Sequence, residues 1–287
     1  MEIQGVCDPK FAEVREEFER NFSERGDVGA SVSVVVEGEK VVDLWGGVAV
    51  PETGATWQED TITVVMSMTK AATALCAHIL ADRGALDIDK PVAHYWPEFA
   101  AGGKETIPVR MLLNHQAGLP GFRREIPAGK PYDWKYMTNA IAAEPPFWEP
   151  GRNYAYHSLT FGWLVGEIVH RVSGKSIGTF FREEVAKPLG LDFWIGLPES
   201  EEGRAVDLLP YLQAVDSEAP DKALEQAVVS SGVNEGSGWW NTREAHAAEL
   251  PASGGVTNAR SAARMYAALS LGGSIDGVKL VSPATVE

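Results

Sequence analysis

The chain has 287 residues, 45% hydrophobic and 23% charged, a composition for a packed core in one large domain or two smaller ones. A formal net charge of −15 disfavours a nucleic-acid backbone or an anionic membrane surface as partner. The two cysteines, Cys7 and Cys76, argue against a disulfide framework and offer no CxxC spacing for a metal.

The opening stretch MEIQGVCDPK has neither a basic n-region nor an apolar h-region, so no secretory signal is read there. No run of about 18 apolar residues follows. A soluble, cytoplasmic protein is the expectation. Residues 8–26 read as a first helix, with Asp8 as cap, Pro9 in the first turn and Gly26 at the end. Phe11, Val14, Phe18 and Phe22 share one face. The valine-rich stretch 30–47 reads as two strands joined at Glu37-Gly38-Glu39-Lys40. TITVVM, residues 61–66, is a short apolar approach to Ser67. A helix is expected from Ser67 to Asp82, its alanines marking close neighbours and a buried position, with Cys76 a buried thiol.

From 87 to 200 the pattern is mostly helical, with candidates at 108–114, 134–143, 158–172 and 176–186. Residues 198–250 read as irregular, with one helix near 203–214. Residues 257–273 form a further helix, with Asn258 near its start and glycines at its end. LVSPATVE opens another, Ser282 being a good cap and Pro283 a good first residue. A helix of one turn has little to hold it, and the N-terminal strand pair has no evident later partner. The expectation is that a C-terminal portion is missing, either removed or carried by a separate chain that completes the sheet.

Ser67 and Lys70 stand three apart, which on a helix puts them on one face. Serine needs a base before it is a useful nucleophile. Apolar surroundings and the positive end of the helix dipole both disfavour an ammonium at Lys70 and lower its pKa. A neutral lysine can then take the serine proton, and amides of the first helical turn face the position of an oxyanion. Chance also supplies such pairs in a chain of this composition. A capping serine beside a solvated lysine fits the local context equally well.

Longer stretches break the tie. SMTK at 67–70, LLNHQAGLP at 112–120, PGRNYAYHSLTFGWLVGEIV at 150–169, PLGL at 188–191 and PASGGVTNARSAARMYAAL at 251–269 occur in that order. With this ordered set, the chain resembles the serine β-lactamase-like family, closest to class C β-lactamases and family VIII carboxylesterases. The resemblance implies an α/β fold, with an antiparallel sheet flanked by helices and a mostly helical inserted region. In that scheme residues 1–75 and 245–287 form the sheet domain, its C-terminal strands absent, and 76–244 the helical region. It also implies Ser67 as nucleophile, Lys70 as activating lysine and a tyrosine acting as base and acid. The family places that tyrosine six residues after the proline of PG, which selects Tyr156 over Tyr154. Where the lactamases carry an asparagine that binds the substrate amide, this chain has Ser158, which leans toward esters. The family's C-terminal K-T-G-like strand segment would fall after residue 287.

His115 is expected to shape the turn beneath the site. His157 is a candidate substrate contact, with a solvent-facing histidine as the equal alternative. Trp134, Trp148, Trp239 and Trp240 are candidate walls of an apolar acyl pocket, with ordinary packing as the competing reading. The glycine-rich NEGSGWWN at 234–241 reads as a loop over the site. No HExxH metal motif and no GxSxG elbow occurs. The expected function is hydrolysis of short-chain carboxylic esters through an acyl-enzyme, with a small-molecule ester as substrate and no cofactor or metal. The rivals are a β-lactamase or D-aminoacyl peptidase using the same residues on amides, an acyltransferase, and a non-catalytic scaffold.

Overall fold

The computed structural model describes residues 2–210 and 237–287. Three strands, β1 (Ile3–Cys7), β2 (Gly29–Val36) and β3 (Glu39–Val50), form an antiparallel sheet in the order β1–β3–β2. β2 and β3 are the expected hairpin. Glu37 (φ 52°) and Gly38 (φ 87°) alone make its turn. Two successive left-handed residues match the twist of the flanking strands, so Glu39 and Lys40 belong to β3. β1 is a strand the sequence did not announce. Five residues too short to show a period are held by register with β3, Ile3 opposite Gly46 and Cys7 opposite Val42. The strand pair expected to lack a partner thus has one, upstream of it.

Helix α1 (Ala12–Glu24) follows a single 3-10 turn at Pro9–Phe11, where the Asp8 carboxylate accepts the Lys10 amide at 2.8 Å. Phe18 is buried against Val42 and Leu44, with Phe11, Val14 and Phe22 packed around it. This is the face the periodicity predicted.

After β4 (Ala55–Thr56), which pairs with β3, a second sheet begins with β5 (Ile62–Val64). It adds β6 (Phe193–Ile195), β7 (Ala205–Val206) and β8 (Gly255–Thr257), in the order β6–β8–β5–β7. β5 and β7 run parallel and the other pairs antiparallel, so the architecture is an α/β fold of mixed rather than purely antiparallel sheets flanked by helices. Two of these strands lie within the stretch 76–244 expected to be helical. The helix expected near 203–214 is absent from its described part. One 3-10 turn, Glu199–Arg204, precedes β7. There Arg204 is clamped by Asp192 and Glu201, and the edge of β5 captures Ala205–Val206 as a strand. The remainder of that segment, 211–214, lies outside the described residues.

Helix α2 (Thr69–Asp82) runs unbroken through residue 75. Ala72, Leu75, Cys76 and Ile79 are fully buried, and the helix packs on Thr160–Ser173. The Thr160–Ser173 helix also meets the 251–252 segment closely: a Cβ added at Gly162 would lie 2.7 Å from the Ala252 amide nitrogen. The expected helices at 108–114, 134–143 and 158–172 appear as Arg110–Leu113, Trp134–Ala143 and Thr160–Ser173. The expected 176–186 helix divides into Ile177–Phe181 and a π-helical turn. Asn258 caps Ala259–Ser270 by accepting the Ser261 amide at 2.9 Å.

The short last helix, Pro283–Val286, is held by α2. Asp82 accepts hydrogen bonds from the Ser282 amide (2.9 Å), the Ser282 hydroxyl and the Thr285 hydroxyl (2.6 Å). Hydrogen bonds from Ser282 and Thr285 hold the Asp82 carboxyl down at about 2, below its ordinary 3.8. A depressed carboxyl contributes stability that is complete above its unfolded pKa and lost as pH falls through the folded one. Protection of residues 282–287 against hydrogen exchange, taken relative to the intrinsic rate at each pH, is therefore expected to fall in Asp82→Ala at neutral pH, and in the wild type as pH drops from about 4 to about 2.

Candidate active site

The chain leaves β5 through Met66, whose backbone is left-handed (φ 47°). A 3-10 turn, Met66–Met68, then leads into α2. This sharp entry leaves Ser67 exposed and buries Thr69 and Lys70. Main-chain and threonine hydrogen bonds fix the junction to β8. Val65 donates to Gly255 O (2.9 Å), the Gly255 amide to Thr69 Oγ1 (2.9 Å), and Thr73 Oγ1 to Pro251 O (2.7 Å). A Cβ at Gly255 would come within 2.6 Å of Thr69 Oγ1, so this approach requires glycine.

Lys70 is 8% exposed. Its Nζ donates to Ser158 O (2.7 Å) and Ala252 O (2.9 Å), and lies 3.2 Å from Ser67 Oγ. Burial pulls its pKa down to about 8 from 10.5. A neutral amine has two N–H bonds and one lone pair. In the neutral form, with both N–H bonds committed to main-chain carbonyls, the lone pair would face the serine oxygen; in the ammonium the third N–H points there. The solvated-lysine reading of the S-x-x-K spacing is thereby removed.

Tyr156 sits beside this pair. Lys70 Nζ lies 4.7 Å from its ring centroid, a cation–π distance that favours the ammonium and partly opposes burial. The ring, rather than the hydroxyl, faces the amine. Among the described residues no hydrogen bond joins the Tyr156 hydroxyl to Ser67 or Lys70, so proton sharing requires the half-exposed side chain to turn. Tyr154 is 65% exposed and lies edge-to-face with the His115 ring.

The other candidates divide. Ser158 borders the site, but through its carbonyl, as a Lys70 acceptor. His157 is not placed to touch substrate. It is fully buried, its Nε2 accepting the Leu119 amide (3.0 Å) and its Nδ1 facing Ala155 O at 2.6 Å. With the proton on Nδ1 and both nitrogens bonded, nothing remains for a ligand. Trp240 is likewise core, 3% exposed. Trp239 is partly buried and stacks on Tyr132 with centroids 5.1 Å apart. Trp134 donates to buried Glu167 (2.8 Å) and packs at Gly166, and Trp148 donates to Asn153 O. Packing explains each of these indoles. The expected loop at 234–241 lies outside the described residues up to 236; its end, Ser237–Trp240, is a helical turn. The residues that sequence reasoning missed are the main-chain acceptors Ser158 O and Ala252 O. A carbonyl has no sequence signature. Cys76 is buried and its thiol pKa is raised by burial. Among the described residues no group of His, Cys, Asp and Glu side chains is placed to hold a metal. No described helix is long and apolar enough to cross a membrane.

A family model described as beta-lactamase matches residues 18–286. The chain belongs to the beta-lactamase family. It is 37% identical to esterase/beta-lactamase LipL of Mycobacterium tuberculosis, over 98% of this chain and 67% of that protein. Among solved structures, a family VIII carboxylesterase superposes with a TM-score of 0.93 at 39% identity, covering 100% of this chain and 76% of the other. A penicillin-binding protein homologue from Caulobacter crescentus gives 0.93 at 40%, with the same coverage. The chain spans about half the length, or less, of the other curated relatives it matches. Membership in the beta-lactamase family, with esterases on both sides of the comparison, places the chain among serine hydrolases.

Proposed function

We propose that the chain is a serine carboxylesterase that hydrolyses short-chain carboxylic esters through an acyl-enzyme. The observation that carries this reading is Lys70, a buried amine whose two N–H bonds go to carbonyls and whose remaining direction is Ser67 Oγ at 3.2 Å. Ser67 Oγ bonds to the ester carbonyl carbon while its proton passes to Lys70 Nζ. The tetrahedral oxyanion forms beside the first-turn amides. As the alkoxide leaves, the Tyr156 hydroxyl protonates it, and the tyrosine recovers a proton from the Lys70 ammonium. Water then attacks the acyl carbon by the reverse route and frees Ser67. The proton transfers run through the Ser67, Lys70 and Tyr156 side chains. Ser158, where the lactamases carry an asparagine, offers a shorter group to an amide side chain and supports the preference for esters.

The experiment presents p-nitrophenyl butyrate, a chromogenic cephalosporin and a D-Ala-D-Ala peptide to the purified protein, and maps the site labelled by a fluorophosphonate. The ester is expected to turn over fastest, with the label on Ser67. Faster turnover of the cephalosporin or the peptide would move the assignment to amides, the rival suggested by the penicillin-binding likeness. A label elsewhere would remove Ser67 as nucleophile. The tyrosine choice has its own check. Tyr156→Phe is expected to lower kcat/KM about 10²–10³-fold, whereas Tyr154→Phe, removing an outlying hydroxyl, leaves it within about threefold.

A further inference from the structure

The helix Arg110–Leu113 ends at Asn114, and the next residue, His115, adopts a left-handed backbone (φ 64°). Glycine or asparagine ordinarily fills that position. His115 instead directs its ring toward the site, where Nδ1 accepts the His157 amide at 3.1 Å. That amide belongs to the peptide unit joining Tyr156 to His157. The carbonyl of the same unit, Tyr156 O, accepts the Ser158 amide at 3.0 Å. Both polar groups of the peptide leaving Tyr156 are therefore fixed, one of them by His115. One residue further on, Ser158 O receives Lys70 Nζ. The His115 ring also packs against the Tyr156 ring, centroids 4.9 Å apart, and against Phe161 at 5.3 Å.

Accepting at Nδ1 places the ring proton on Nε2 and requires a neutral imidazole. Burial, with the nearby Lys70 charge, keeps it neutral, the pKa lying at about 4. Around it, the 114–120 and 147–158 segments are stitched together. Gly151 donates to Gln116 O, Phe147 to Gly118 O, and Leu119 to His157 Nε2. In this seam the His115 side chain reaches the peptide unit that joins Tyr156 to His157.

We propose that His115 is a positioning residue: by accepting the His157 amide it sets the main chain that carries the Tyr156 ring and the Ser158 carbonyl around Lys70. The proposal rests on the roles given to Tyr156 and Lys70 above. His115 itself need not touch the reacting atoms.

Four variants test it with p-nitrophenyl butyrate. In His115→Asn, Oδ1 can replace Nδ1 as acceptor and the residue tolerates a left-handed backbone. His115→Gly relieves the backbone but has no acceptor. His115→Gln carries an amide one methylene too far out. The asparagine variant is expected to stay within about threefold of wild type in kcat/KM, and glycine and glutamine each to lose about 100-fold, the scale of a misplacement near 1 Å. In Tyr156→Phe/His115→Gly, the second change is expected to cost clearly less than it does alone, because the part of its effect that runs through the tyrosine is already lost. An asparagine variant as slow as glycine overturns the proposal. So does a glycine or glutamine variant at wild-type rate, or a double variant whose losses multiply. Wild-type protein without Ser67-dependent turnover would instead overturn the hydrolase reading, and this inference with it.

Discussion

Ser67→Ala and Lys70→Met are each expected to lower kcat/KM for p-nitrophenyl butyrate by about 10⁴-fold, with the double variant no slower than the worse single one. The hydroxyl and the amine act as one unit. Without Lys70 the serine proton has no acceptor, and without Ser67 the amine has nothing to activate. Methionine keeps much of the stem length of Lys70 but leaves Ser158 O and Ala252 O without their donor, so melting curves must accompany the rates. The pH profile supplies the sign. Burial puts the Lys70 pKa at about 8, and the working form is the neutral amine. In the wild type kcat/KM is therefore expected to rise with pH through about 8, tenfold per unit below it. This limb disappears from the residual activity of Lys70→Met. A wild-type profile that is flat from about pH 6 to about pH 9 would exclude the neutral amine as base.

Lys104→Met is expected to destabilise the fold by about 3 kcal/mol, with catalytic constants nearly unchanged in the folded fraction. Lys104 is fully buried, and its ammonium donates to three carbonyls: Ala101 O (2.6 Å), Ala142 O (2.9 Å) and Glu144 O (2.6 Å). It also lies 5.1 Å from the Phe99 ring centroid. Each carbonyl belongs to a chain turn or a helix end that no other donor reaches among the described residues, so the loss orphans acceptors on both sides of the 101–104 and 142–144 contact. Removing one partner of such a buried cluster costs more than the cluster adds over an apolar replacement of all its members. Lys104→Arg is no rescue, because a planar fork cannot donate in three convergent directions. In calorimetry the methionine variant is expected to melt roughly 6–12 °C below wild type, at 2–4 °C per kcal/mol for a chain of this size. An unchanged melting temperature would show that water or rearranged side chains satisfy those carbonyls.

The sequence by itself determined whatever depends on periodicity, capping and order along the chain. Phe11, Val14, Phe18 and Phe22 marked the buried face of α1. Glu37-Gly38-Glu39-Lys40 marked a hairpin, Asp8 and Asn258 marked helix starts, and the ordered motifs beginning with SMTK marked the family. These are local properties, set by residues within a few positions of each other. Tertiary structure alone decided the rest. It made Ile3–Cys7 a strand, because β3 was there to bond it, and it turned Ala205–Val206 into a strand on the edge of β5. It withdrew His157 and Trp240 from the substrate side by burying them. It also buried the Lys70 amine against two carbonyls 88 and 182 residues away along the chain. Main-chain oxygens are the same in every residue, so which of them converge on an amine is fixed only when distant segments pack.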